Sequence, residues 1–221
     1  PSEAERCLSN NLDWYRSVLA GHRLAGSIAD GVWTCDGVVP PYYSNAITIH
    51  AGDADKQAAR IAALARLLGR PFSVKDSFAA GDLAPLGFRI LFDAEWIWKD
   101  PSRPAGGADA WELVTTQADL AAWEAAWRAN GSPADTQVFP PSLLDDPDLS
   151  FFCRRHEGAI VAGCAGNRSK DAIGFSNFFT AGADRTDLAA GVVAVSAWAP
   201  SLPVVGYEHG DGLAIALSLG F

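Results

Sequence analysis

Pro203-Val204-Val205-Gly206-Tyr207-Glu208-His209-Gly210-Asp211-Gly212-Leu213-Ala214-Ile215-Ala216-Leu217-Ser218-Leu219-Gly220-Phe221 reads as a strand followed by a helix. Pro203 stops what precedes it, Val204 to Tyr207 is β-prone, and Asp211 and Gly220 bracket an apolar run suited to a helix. Upstream, Asp184 or Thr186 opens another helix, in which Leu188, Val192 and Val195 recur at spacings of four and three before Pro200. Three strands come before it: Phe151 to Arg155, Ala159 to Ala165 and Ala172 to Thr180, separated by Glu157-Gly158 and by Asn167 to Asp171. They form an antiparallel meander. Gly131 to Leu149 is a proline-bearing loop, and before it Trp111 to Thr115 is a strand. Thr116 with Asp119 three residues on caps a helix whose apolar face is Leu120, Trp123 and Trp127.

The first half begins with a helix over Leu8 to Leu19, then strands over Trp33 to Val39 and Ala46 to His50. Asp53 caps a helix that buries Ile61, Leu64 and Leu68 and closes at Gly69 and Pro71. A short apolar segment, Phe72 to Lys75, and a helical turn over Asp82 to Leu86 lead to the clearest strand of the chain, Arg89 to Trp98. There Ile90, Phe92, Ala94, Trp96 and Trp98 alternate with Asp93 and Glu95. Lys99 to Ala108, with two prolines and two glycines, is the linker, which places one unit at 1–104 and a second at 108–221. Pro71 to Gly87-Phe88 repeats the order strand, short helix, Gly-Phe of Pro203 to Gly220-Phe221. This echo suggests two related units, the first incomplete, although Gly after a helix is also a common cap.

A length of 221 residues with 49% apolar content supports a buried core, and the order of strands and helices points to an α/β fold. The formal net charge of −9 disfavours nucleic acid and anionic membranes as partners. The Pro1-Ser2-Glu3-Ala4-Glu5-Arg6 start has no basic, apolar leader pattern, so a cytoplasmic location is expected. Cys7, Cys35, Cys153 and Cys164 are dispersed, and His22, His50, His156 and His209 lie far apart, so no metal site is expected. Phosphate-binding, dinucleotide and hydrolase-elbow motifs are absent from the sequence.

The order strand, helix, loop, three meander strands, helix, strand, helix over residues 111–221 resembles the acyl-CoA N-acyltransferase (GNAT) superfamily, with a largely antiparallel mixed sheet flanked by helices. The ending resembles that family's fifth strand and fourth helix, and Ala46 to Phe88 resembles the matching half of the same fold. The resemblance implies acetyl-CoA as cofactor and a small-molecule amine as acceptor. It also implies a phosphate-binding loop over Thr180, Ala181, Gly182, Ala183, Asp184, Arg185 and Ala189. That loop is degenerate: Arg185 stands for the leading basic residue, but Leu188 takes a glycine's place, and Asp184 and Asp187 equally suit plain helix capping. Ala216 stands where the family often has its proton-donating Tyr.

Tyr207, Glu208 and His209, at the end of the last strand, are the candidate proton donors or bases, with an exposed polar turn as the alternative. Alternation along a strand lets only one or two of them reach one site. Tyr42, Tyr43 and Asn45 are candidates for lining a substrate pocket, or else for packing over a core edge. The functional readings are an acetyl-CoA-dependent N-acetyltransferase acting on a small amine, a catalytically inactive protein of the same fold that binds a ligand or partner, and a dimerisation module. The resembling family usually adds one or two strands after Gly-Phe, and Arg89 to Trp98 is expected to join the shared sheet in that capacity.

Overall fold

The computed structural model describes residues 1–101, 110–182 and 185–221. Most of the expected linker, Ala183, Asp184 and the Arg185 side chain lie outside the described residues. Ser2 and Glu5 form a reciprocal capping box, with the Ser2 N–H donating to the Glu5 carboxylate at 2.6 Å and the Ser2 hydroxyl accepting from the Glu5 N–H at 3.2 Å. It starts α1 (Glu3–Gly21) well before the apolar periodicity begins at Leu8. Asp30-Gly31, with φ of 52° and 75°, then makes a two-residue hairpin between β1 (Ser27–Ala29) and β2 (Val32–Thr34). β3 (Ala46–Thr48) pairs antiparallel with β2, α2 (Ala54–Leu68) crosses over, and β4 (Val74–Lys75) returns parallel to β3. These four strands form one sheet in chain order.

Two expectations here are corrected. The strand expected through Val39 stops at Thr34, because the Asn45 side chain donates to the Cys35 and Gly37 carbonyls at 2.7 and 2.9 Å and pulls the chain out of the ladder. Asp53 sits ahead of α2 in a left-handed conformation, φ 58°, and makes no side-chain cap; its carboxylate pairs with Lys56 instead.

The second sheet has six strands, β5 (Glu95–Lys99), β10 (Val204–Glu208), β9 (Ile173–Thr180), β8 (Ala159–Arg168), β7 (Leu149–His156) and β6 (Trp111–Leu113), in that spatial order. Only β9 and β10 are parallel. α3 (Gln117–Ala129) follows β6, α4 (Arg185–Trp198) joins β9 to β10, and α5 (Gly210–Ser218) follows β10. Thr116 caps α3 as expected, accepting from the Asp119 N–H at 3.1 Å. The expected joining of the first half's last strand to this sheet occurs over Glu95–Lys99, antiparallel to β10. Residues 90–94 are not strand: Ile90 and Phe92 are 80% and 56% exposed. Pairing ends at Glu208 with Glu95, and the β10 chain then turns into α5, so their alternating pattern meets no partner.

The largest core cluster draws on both halves, with Trp14, Trp33 and Ile47 packed with Trp123, Phe139, Phe151 and Phe179. α1 is tied to the β8–β9 turn by a buried asparagine pair, Asn10 Nδ2 donating to the Asn167 carbonyl at 3.1 Å and Asn167 Nδ2 to the Asn10 carbonyl at 2.9 Å. Among the described residues no helix is long and apolar enough to cross a membrane.

Candidate functional site

β9 and β10 diverge. They pair only through Ile173 with Val204 and Gly174 with Val205, after which Phe175 to Thr180 and Gly206 to Glu208 have no partner across the gap. Two features open it. Asn177 adopts a left-handed φ of 53°, and the β8–β9 register shifts between Gly163 and Ala165, a bulge that bends β9. Gly206 is needed at the vertex, since a Cβ there would stand 2.9 Å from the Phe175 carbonyl oxygen. The result is a V whose walls carry backbone N–H and C=O groups free of strand pairing.

Alternation along β10 separates the predicted proton carriers. Tyr207 faces α1 and the first sheet, where Lys75 Nζ lies 3.2 Å from its ring centroid and Trp96, its cross-strand partner, lies edge-on at 5.9 Å. Burial, then the nearby Tyr15 and Glu208, push its pKa up, so the phenol is protonated at neutral pH. Glu208 faces α5, where a Cβ on Gly212 would stand 2.6 Å from its carboxylate. Burial raises its pKa and the neighbouring His209 lowers it. His209 is exposed at the start of α5, its ring 4.7 Å from that of Phe92.

The residues proposed for substrate divide. Tyr43 is 7% exposed and joins the Tyr207 cluster, its pKa raised by burial and then by Tyr15 and Tyr207. It also stacks edge-on with Tyr15 at 4.8 Å. Tyr42 turns away, donating to the Pro133 carbonyl at 2.7 Å and packing on Trp127. Asn45 is spent on the carbonyls of Cys35 and Gly37.

At the expected cofactor loop, Ala181 N–H donates to the Val161 carbonyl at 2.7 Å, and Gly182 is exposed with open space around it. Thr180 Oγ1 donates to the Asp187 carboxylate at 2.7 Å, and Arg154 grips the same carboxylate in bidentate fashion at 2.7 and 2.8 Å. Asp187, 4% exposed, is therefore a neutralised buried acid in the first turn of α4. Ala189, on the next turn, is half-buried. Sequence reasoning missed Lys75, Tyr15 and Asn177. Lys75 lies on a strand of two residues and Asn177 inside an apolar strand, and neither carried a local signal. A cavity of about 850 Å³, lined by Arg16, Arg168 and Trp198 among others, lies at the other end of β9, away from the V.

Solved structures are similar to this fold over most of the chain. A GCN5-related N-acetyltransferase from Kribbella flavida superposes with a TM-score of 0.58 at 14% identity, covering 93% of this chain and 85% of its own. The chain has the GNAT fold. A functionally unknown conserved protein from Staphylococcus epidermidis has a TM-score of 0.54 at 14% identity over 88% of this chain and 87% of its own. A putative GNAT-family acetyltransferase from Novosphingobium aromaticivorans has a TM-score of 0.47 at 14% identity, covering 88% of this chain and 84% of its own. No family model matches the sequence, and no curated protein does. In GNAT terms β9 and β10 are the fourth and fifth strands.

Proposed function

We propose that this chain is an acetyl-CoA-dependent N-acetyltransferase acting on a small amine, with the thioester held in the V between β9 and β10. The observation that carries this reading is the V itself, opened by the bulge at Asn177 and bordered on one face by Tyr207. Its unpaired strand edges suit the amides of a pantetheine arm, which can add to both walls as a strand would. When bound, acetyl-CoA supplies an activated acyl carbon. Backbone N–H groups of the unpaired β9 edge are the donors that would stabilise negative charge developing on the acyl oxygen. The acceptor nitrogen approaches from the α1 side. Its new N–C bond would replace the C–S bond, and Tyr207, a protonated phenol, is the group that would protonate the departing sulfur and recover the proton that the amine sheds.

A second reading is a GNAT-fold protein that no longer transfers an acyl group. It is favoured by Asp187, whose carboxylate is satisfied by Arg154 and Thr180 without any ligand, and by Leu188 in a glycine's place.

Thermal unfolding with excess acetyl-CoA tests both. Ligand at about 100 times its Kd adds about 2.7 kcal/mol, which for a chain of this size raises Tm by roughly 5–10 °C. Hydrogen exchange should slow at residues 175–180 and 206–208 in the same sample. No shift at millimolar acetyl-CoA would sink the transferase reading and leave the second.

A further inference from the structure

Lys75 is a basic side chain held without an anionic partner. Its Nζ donates to Asn11 Oδ1 at 2.8 Å and lies over the rings of Tyr207 and Trp96, at 3.2 and 4.7 Å from their centroids. An ammonium has three donors. Although the formal net charge of the chain is −9, no carboxylate pairs with Lys75 among the described residues. Tyr43, in the same cluster, supplies a second group: its hydroxyl is buried and makes no hydrogen bond of good geometry, although the Trp14 side chain lies close enough to interact with it. Lys75, Asn11 and Tyr207 keep partial solvent exposure.

We propose that Lys75 and Tyr43 receive a carboxylate carried by the acceptor, which makes the acceptors amino acids and related amino carboxylates. The proposal rests on the transferase reading, in which the acceptor enters from the Tyr207 side. Loss of water pushes the Lys75 amine well below its ordinary pKa, and no neighbouring charge offsets that cost. A carboxylate beside it would do so. A polyamine would instead be repelled by Lys75 and find its aromatic faces already taken.

The chain has four lysines, Lys56, Lys75, Lys99 and Lys170, so a lysine-labelled NMR spectrum is simple, and the Lys75 signal is assigned by its loss in Lys75→Arg. N-acetylglycine, N-acetyl-β-alanine and N-acetylglutamate are titrated into the wild-type chain with no acyl-CoA present. At least one acid should move the Lys75 signal saturably, its amide should bind about tenfold more weakly or worse, and the other lysines should stay put. Equal responses to acid and amide, or none up to solubility, overturn the proposal. Lys75→Met should abolish the preference for acid over amide, but the wild-type titration decides even if that variant does not fold. Acid binding in a chain that shows no acetyl-CoA shift would leave this site standing and sink the transferase reading.

Discussion

Burial acts on Tyr207 and Glu208 in the same direction, holding each in its protonated form to higher pH, while alternation along β10 sends them to opposite faces. Their tests therefore differ. Tyr207→Phe removes a proton donor and little else, so transfer to a responsive amine should fall about 100-fold with the acetyl-CoA Tm shift unchanged. An unchanged kcat would remove Tyr207 from the chemistry. Glu208 is a question of stability. Between its unfolded and its raised folded pKa the native state binds more protons than the unfolded chain, so stability is highest below that window and falls as pH rises through it. Urea unfolding from pH 4 upward should show this decline in the wild type and a flatter profile in Glu208→Gln. Superimposable profiles would mean that the native carboxylate is well solvated.

The V depends on where two strands are allowed to touch. Gly174 supplies one of the two pairs that join β9 to β10, and a Cβ there would overlap the side-chain oxygens of Asn10 and Asn167. Both amides are committed to hydrogen bonds that anchor α1, so neither can yield cheaply. Gly174→Ala should cost about 3 kcal/mol, the upper end for overpacking, and lower Tm by roughly 6–12 °C. Gly182→Ala, with open space around it, should stay within about 0.5 kcal/mol. Equal stability of the two variants would contradict the tight packing of α1 against this vertex.

Across the whole molecule the two halves share structure rather than merely adjoin. β5 from the first half closes the edge of the second sheet, the main cluster mixes Trp14 and Trp33 with Trp123 and Phe151, and Lys75 reaches from β4 to the Trp96–Tyr207 pair. Calorimetry should accordingly give one transition whose calorimetric and van't Hoff enthalpies agree. Two resolved transitions would show that the halves melt independently despite β5.

Local pattern determined most of the elements. The meander, the Thr116 cap, the Gly69 stop and the strand-helix ending are each written in residues that sit next to one another in the chain, and each forms where it was expected. The type of fold followed from their order. Extent was less legible: residues 90–94 carry a strand's alternation but find no neighbour to pair with, and Val39 lies beyond a bend made by Asn45. The site was read in fragments. Tyr207 was placed by its strand and Tyr43 by its loop, yet nothing local connects them to each other or to Lys75. Only tertiary structure decided that meeting, because an amine over an aromatic ring, a buried hydroxyl and a gap between strands depend on which distant segments pack together, and hydrophobic periodicity specifies a face without specifying its partner.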